Sequence, residues 1–480
     1  MTAHSLPTQS ADFATWYAEV VRQADLAEHA PVRGAMVIKP YGYAIWEAIQ
    51  AALDWRIKAT GHQNLYFPLL MPSSLLDREA ELVEGFAPEV AVVTHAGGKQ
   101  LAEPLVVRPT SEAIVWATYA RWVQSHRDLP LLYNQWANIV RWELRPRLFL
   151  RTSEFLWQEG HTAHASEAEA LDEALRILND VYADTAEQVL AMPVLRGRKS
   201  ASERFPGAVE TFTIEALMRD GKALQAGTSH YLGQNFSRTY DVRFTDKDGA
   251  DQFAYATSWG ASTRLIGGLI MTHGDDKGLR LPPAVAPYQV VIVPIHRGDT
   301  DRASVLEASH RLANNLRASR VRVHLDDREE HRPGFKFNQW ELKGVPLRAE
   351  IGTRDLADQQ ITLVRRDTGT KTGVPVANTA DHARQLLDEI QDRLLAEARA
   401  FRAAHTLDRP TSYTAMREFL TGGEGFVNAL WCGSTNCEAR VKAETTATIR
   451  CLPLDAETSR GRCIVCKAAA ATTATWAQSY

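Results

Sequence analysis

The stretch that most constrains this 480-residue chain is Asn138–His161, NIVRWELRPRLFLRTSEFLWQEGH. Side chains alternate between the two faces of a strand, so a strand here would carry Arg141 and Glu143 on one face. A return strand would carry Phe155, Trp157, Glu159 and His161 together, with Arg145, Arg147 and Arg151 in the connection. The spacing therefore predicts an antiparallel hairpin on which arginines, a carboxylate and an indole converge. A solvated, salt-bridged surface hairpin is the bland alternative. Four arginines within eleven residues beside Trp157 fit better with a nucleoside triphosphate held next to a small substrate.

Other segments join this one. Tyr41–Thr60 has helical apolar spacing at Ile45, Ile49, Leu53 and Ile57, and Leu65–Pro72 (LYFPLLMP) is strand-like. Its two prolines place it at a sheet edge or an interface. Gln225–His230 (QAGTSH) precedes Ser258–Gly268 (SWGASTRLIGG), which passes from a strand into a Gly-rich helix containing Arg264. Glycines there allow close backbone approach, and an arginine can reach a phosphate.

Three prolines in Leu281–Tyr288 (LPPAVAPY) mark a boundary. Beyond it, strands at Tyr288–Ile295, Arg320–Leu325, Leu347–Ile351 and Gln360–Arg366 alternate with helices at about 300–319, 334–343 and 381–405. That alternation predicts a small α/β domain. Within it, Lys336, Glu341, Lys343, Arg348 and Arg354 lie among aromatics, a combination able to hydrogen-bond and stack on unpaired bases. All five cysteines fall after residue 430. Cys432 and Cys437 form a C-x4-C pair, and Cys463 and Cys466 a C-x2-C pair, the spacing of a tetrahedral Zn²⁺ site. Cys451, in the apolar run TIRCLPL, reads as a small buried hydrophobe.

Joined in this order, the segments resemble the three motifs of class II aminoacyl-tRNA synthetases. Residues 41–68 resemble motif 1, a dimer-interface element; Arg141–His161 resembles motif 2; and SWGASTRLIGG resembles motif 3. RPTSE (Arg108–Glu112), FLRTSEFLWQEGH and QAGTSHYLGQNF narrow the resemblance to prolyl-tRNA synthetases of the archaeal/eukaryotic-like type. The resemblance implies three domains. Residues 1–283 would form an α+β catalytic domain with an antiparallel sheet and helices. Residues 284–405 would form an α/β anticodon-binding domain, and 406–480 a small α+β zinc-binding domain. It further implies a homodimer that activates L-proline with ATP and Mg²⁺ and transfers it to tRNA(Pro).

The same resemblance implies site roles. Thr110 and Glu112 would hold the proline amine, and Trp157, His161 and Phe205 would wall its ring, with Glu159 and His230 nearby. Arg141 would bridge the proline carboxylate and the α-phosphate. Glu143 would take the adenine amino group, Arg151, Gln225 and Thr228 would contact ATP, and Arg264 would hold the terminal phosphates. Arg141 and Arg264 would be the catalytic pair, Glu341 and Arg348 would read the anticodon, and Tyr480 would tuck back towards the catalytic domain. The stretch between Glu143 and Arg264 leaves no room for an editing domain, which implies a separate deacylase. A sister enzyme for threonine, glycine or histidine, or an inactive RNA-binding relative, is the rival reading.

A formal charge of −4 gives no overall attraction to RNA, so any RNA surface must be a local basic patch. No apolar run approaches the ~18 residues of a membrane span. The polar N-terminus lacks the pattern of a signal peptide, and the expectation is the cytoplasm.

Overall fold

A computed structural model describes residues 6–80, 89–143, 145–296, 298–455 and 460–480. Helix α1 (Pro40–Ala59) opens with proline at its first position, where no intrahelical N–H is needed, and buries Ile45, Ile49, Leu53 and Ile57. The following segment differs from the expected strand. Only Leu70–Pro72 pairs, at the edge of a three-stranded sheet with Val92–Ala96 and Lys99–Val107, while Pro68 stays outside any ladder.

The main sheet is built from β1 (Leu131–Val140), β2 (Glu154–His164), β3 (Val194–Arg198), β4 (Glu210–Leu217), β5 (Ala223–Gly233) and β6 (Tyr255–Ser262). Its ladders are antiparallel: β1 pairs with β2, β2 with β6, β6 with β5, β5 with β4 and β4 with β3. Helix α2 (Glu112–Trp122) precedes β1, and α3 (Arg264–His273) leaves β6 directly. The core beneath the sheet takes Trp16, Val20, Ile45, Leu178, Trp259 and Ile266.

The hairpin β1–β2 forms with Gln135 opposite Glu159 and Ala137 opposite Trp157. Arg141 and Glu143, expected on β1, lie past its end. Ladder pairing stops at Val140, although the Arg141 amide still donates to the Ser153 carbonyl at 2.8 Å.

A second sheet holds β7 (Val290–Ile295), β8 (Val323–Leu325), β9 (Leu347–Gly352), β10 (Gln360–Arg365) and β11 (Lys371–Pro375), in the order β8-β7-β9-β10-β11. The first three are parallel and the last two join antiparallel, with helices α4 (Asp299–Ala318), α5 (Pro333–Leu342) and α6 (Thr379–Ala404) alongside. β8 is shorter than the expected 320–325 strand, and β11 went unforeseen.

The last segment supplies β12 (Thr406–Asp408), β13 (Phe426–Trp431), helix α7 (Thr435–Thr445), β14 (Thr448–Pro453) and β15 (Thr472–Ala477). It does not stand apart. β14 pairs with β3 through Leu452 opposite Arg198, so its four strands join the six of the main sheet, and with the short strand Gln63–Asn64, parallel to β1 at the far edge, the sheet has eleven among the described residues.

Candidate active site and associated sites

One cleft of about 290 Å³ is lined by Thr110, Glu112, Arg141, Trp157, Glu159, His161, Phe205, Thr211 and His230, among others. Glu112 is the first residue of α2 and is 4% exposed, at the end of a helix where a carboxylate is favoured. The Thr110 hydroxyl donates to it. β2 delivers Trp157, Glu159 and His161 to the cleft by strand alternation.

Glu159 is buried and well supplied. Ser111 Oγ donates to it, Gln135 Nε2 donates at 2.6 Å, and His161 Nε2 lies 3.1 Å away. Burial alone would raise its pKa, but the His161 hydrogen bond and charge, with Ser111 and Gln135, hold it below the usual carboxylate range. Burial would likewise lower that of His161, yet the hydrogen bond to Glu159 and the charge of Glu112 raise it. Glu159 and His161 thus balance each other, and Glu112 adds a buried negative charge to the cleft, which Arg141, Glu203 and Arg204 also line. A cationic ligand of modest size suits such a site.

The opposite wall is Phe205, stacked on His230 with centroids 4.4 Å apart. His230 Nδ1 lies 3.0 Å from Thr211 Oγ1, and burial, then the charge of His161, lowers its pKa to about 3. His230 is therefore a neutral, aromatic wall residue at physiological pH.

Arg141 joins this cleft to a second of about 340 Å³, lined by Glu143, Phe149, Arg151, Thr152, Phe155, Ser262 and Arg264. Gln225 and Thr228 of β5 line the passage between them with Arg141 and Arg264. Arg141 Nε donates to the Pro109 carbonyl at 2.8 Å, and its guanidinium lies 5.7 Å from the rings of both Phe155 and Trp157. Arg151 lies 3.6 Å from Glu143. Arg264 opens α3 and donates through Nε to the Leu150 carbonyl at 3.3 Å. Burial, then Arg141 and Arg151, pull its pKa down to about 10. Like charges held this close favour binding of a polyanion that neutralises them. A further basic cleft, lined by Arg145, Arg147, Arg151, Lys222 and Arg264, receives Tyr480, whose hydroxyl donates to Asp220 at 2.6 Å.

Two uses of glycine shape the first cleft. A Cβ on Gly160 would sit 2.1 Å from the Trp259 indole, and one on Gly260 would sit 3.0 Å from Trp157. Sequence reasoning missed Ser111, Gln135, Glu203, Arg204 and Ser258. Arg108, in the same RPTSE segment, is fully buried and binds the Phe67 and Asn138 carbonyls at 2.7 and 2.9 Å, a scaffold role.

In the α/β domain, Glu341 and Arg348 line a cleft of about 270 Å³ with Phe337, Trp340, Arg366 and Lys371. Arg348 lies 4.2 Å over the Phe337 ring and donates to Glu350 at 2.8 Å. Two neighbouring lysines face elsewhere. Lys336 is buried and donates to the Asp326 carbonyl at 2.9 Å, and Lys343 reaches Asp25 at 3.4 Å and the Tyr41 ring of α1.

Cys432, Cys437, Cys463 and Cys466 bring their sulfurs within 4.8 Å of one another. The Cys432–Cys437 and Cys432–Cys466 separations are 3.7 and 3.6 Å. Tetrahedral bonds of about 2.3 Å would set sulfurs roughly 3.8 Å apart, close to both of these separations. Cys451 is fully buried on β14, outside the cluster.

Comparison with known proteins covers all three regions. Residues 96–273 match the tRNA synthetase class II core domain (G, H, P, S and T), 289–386 the anticodon binding domain, and 413–480 the prolyl-tRNA synthetase C-terminal family. The chain is 55% identical over 468 residues to a proline–tRNA ligase of Chloroflexus aurantiacus, with 97% of each chain covered. It is 54% identical over 474 residues to that of Porphyromonas gingivalis, covering 96% of each. The crystal structure of a prolyl-tRNA synthetase from Cryptosporidium parvum, complexed with halofuginone and AMPPNP, superposes with a TM-score of 0.94 at 40% identity, with 99% of both chains covered. Class II core, anticodon domain and C-terminal unit, each matched in one continuous chain, make this protein a member of the prolyl-tRNA synthetase family.

Proposed function

We infer that the chain activates L-proline with ATP, releasing pyrophosphate, and then transfers proline from the adenylate to the 3′ end of tRNA(Pro) for translation. The observation that carries this reading is the buried Glu112 carboxylate, which faces an aromatic-walled cleft that opens through Arg141 onto an arginine-lined one. Proline brings a cationic secondary amine, a compact apolar ring and a carboxylate. Glu112, with Thr110, takes the amine, and Trp157, His161 and Phe205 enclose the ring. The Glu159–His161 pair holds the floor, and His230 backs Phe205.

ATP enters as its Mg²⁺ complex. Arg141 bridges the proline carboxylate and the α-phosphate, Arg151, Gln225 and Thr228 contact the nucleotide, and Arg264 holds the terminal phosphates. Glu143 accepts from the adenine amino group. The proline carboxylate attacks the α-phosphorus in line, forming the new P–O bond as the bond to pyrophosphate breaks. The nucleophile is already ionised, so positioning and charge neutralisation by Arg141 and Arg264 suffice.

Further assignments belong to the same proposal. Residues 1–283, 284–405 and 406–480 are the functional domains, and Glu341 and Arg348 contact the anticodon. The four-thiol cluster holds Zn²⁺, which would supply a structural cross-link. The chain works in the cytoplasm, where it charges tRNA. It pairs as a homodimer through the 41–68 region, a reading supported by the exposed Tyr43, Trp55 and Tyr66. Between β2 and β6 the described chain is taken up by sheet and helix, which supports clearance of mischarged alanine by a separate deacylase.

ATP–pyrophosphate exchange measured with each of the twenty amino acids tests the assignment. Proline should give the highest kcat/KM, with alanine weakly active because a smaller ligand cannot be excluded by size. A higher kcat/KM for any other amino acid, or no exchange at all, would overturn it.

A further inference from the structure

The connection between β3 and β4, residues 199–209, supplies Glu203, Arg204, Phe205 and Pro206 to the amino-acid cleft. Its cleft side is anchored by the Phe205–His230 stack and by the Phe205 amide, which donates to Thr211 Oγ1 at 3.0 Å. Its back rests on the C-terminal unit. Glu438, on the first turns of α7, accepts from Ser200 Oγ at 2.7 Å and from Ser202 Oγ at 2.5 Å, one hydroxyl on each carboxylate oxygen. One turn along α7, Lys442 reaches Glu203 at 3.7 Å.

Glu438 is only 4% exposed. A carboxylate buried against two hydroxyls carries a desolvation cost that an apolar side chain there would avoid. The arrangement has a geometric consequence instead. Bridging Ser200 and Ser202 with both oxygens fixes the turn that sets the direction of Glu203–Pro206. We propose that Glu438, assisted by Lys442, is a positioning residue for proline binding: the C-terminal unit holds the cleft-lining connection from outside in its binding-competent form. None of residues 199–209 lines the arginine cleft, so the effect is confined to the amino acid.

This proposal rests on the reading of the cleft as a proline site, and its test separates the two. When only a fraction of the protein is competent, apparent affinity falls by that fraction. In ATP–pyrophosphate exchange, Glu438→Ala and the Ser200→Ala/Ser202→Ala pair should each raise the KM for proline about tenfold and leave that for ATP within about twofold. Combining them should add nothing further, because all three side chains form one contact. Glu438→Gln, which can still accept one of the hydroxyls, should fall between. Hydrogen exchange on the full-length protein should show amides of 199–211 losing protection in Glu438→Ala, while those of β5 and β6 keep theirs.

An unchanged proline KM, an equal rise in the ATP KM, or additive effects of the serine and Glu438 changes would overturn the proposal. Unchanged protection of 199–211 would do the same. Should Glu438→Ala fail to fold, the serine pair is judged by the same measurements. Lack of proline-dependent exchange by the wild type would remove the proline reading alone, and hydrogen exchange would still decide whether Glu438 holds the connection.

Discussion

At Glu112 the chain commits a buried carboxylate to a cleft in which a second buried acid, Glu159, already has His161, Ser111 and Gln135. Removing Glu112 takes away the counter-charge for a cationic ligand, a loss of about 3–5 kcal/mol. Glu112→Ala should therefore lower kcat/KM for proline by about 10²–10³ or more in pyrophosphate exchange. Its circular dichroism should match the wild type, and exchange at the wild-type rate would show that Glu112 does not meet the amine. Trp157 and His161 stood out in the sequence because a charge or an indole at alternate positions is a rare pattern, whereas Glu112 entered only through the resemblance carried by RPTSE. Ser111 and Gln135 did neither. They act by satisfying a buried acid, and neutral side chains with that role look like any others until the fold brings them within 3 Å. Lys336 was misleading for the converse reason. A lysine in a charged stretch reads as surface, and its stem and ammonium are in fact buried against Asp326.

Among elements, β2 and β6 show how closely the cleft depends on a missing side chain. Gly160 lies opposite Trp259 in that ladder, and the indole occupies the space a Cβ would need. Gly160→Ala must push β2 or the indole aside, at a cost typical of overpacking, about 1–3 kcal/mol. Because Glu159 and His161 flank the position, the KM for proline should rise as well. Thermal denaturation and exchange kinetics test both, and a Tm and KM at wild-type values would show that the ladder absorbs the methyl group. The helix α1 and the strands β2, β7, β9 and β10 were legible from periodicity. Others were not, each for a physical reason. Arg141 and Glu143 continue the alternation of β1, but a strand ends where its partner does, and sequence spacing carries no information about the partner. β11, KTGVP, reads as a turn, yet as the outermost strand it tolerates both its glycine and its proline.

For the molecule as a whole, the joined sheet makes the C-terminal unit part of the catalytic body, and one buried cluster ties the two. Glu215 of β4 is fully buried, with Lys199 Nζ at 2.7 Å and the Arg450 guanidinium of β14 at 3.0 Å. Burial would raise the pKa of Glu215, but the charges of Lys199 and Arg450 hold it below the usual range. Arg450 Nη1 also donates to Ser479 Oγ at 3.0 Å, next to the Tyr480 that enters the basic cleft shared with Arg264. The resemblance implied a third domain at 406–480, and the clustering of cysteines there reveals a change of character but not a shared sheet. The cluster discriminates the two pictures. Arg450→Ala leaves Glu215 buried with half its compensation, which should destabilise by about 3–5 kcal/mol. Glu215→Gln/Arg450→Met, which removes the charges together, should lose less than the single changes summed. In an integral body, the Arg450→Ala loss appears as a lowered Tm for the catalytic domain itself, followed by the loss of amide protection in β1, β2, β5 and β6 on heating. A catalytic domain that melts at the wild-type temperature in Arg450→Ala would show that the C-terminal unit is only attached to it.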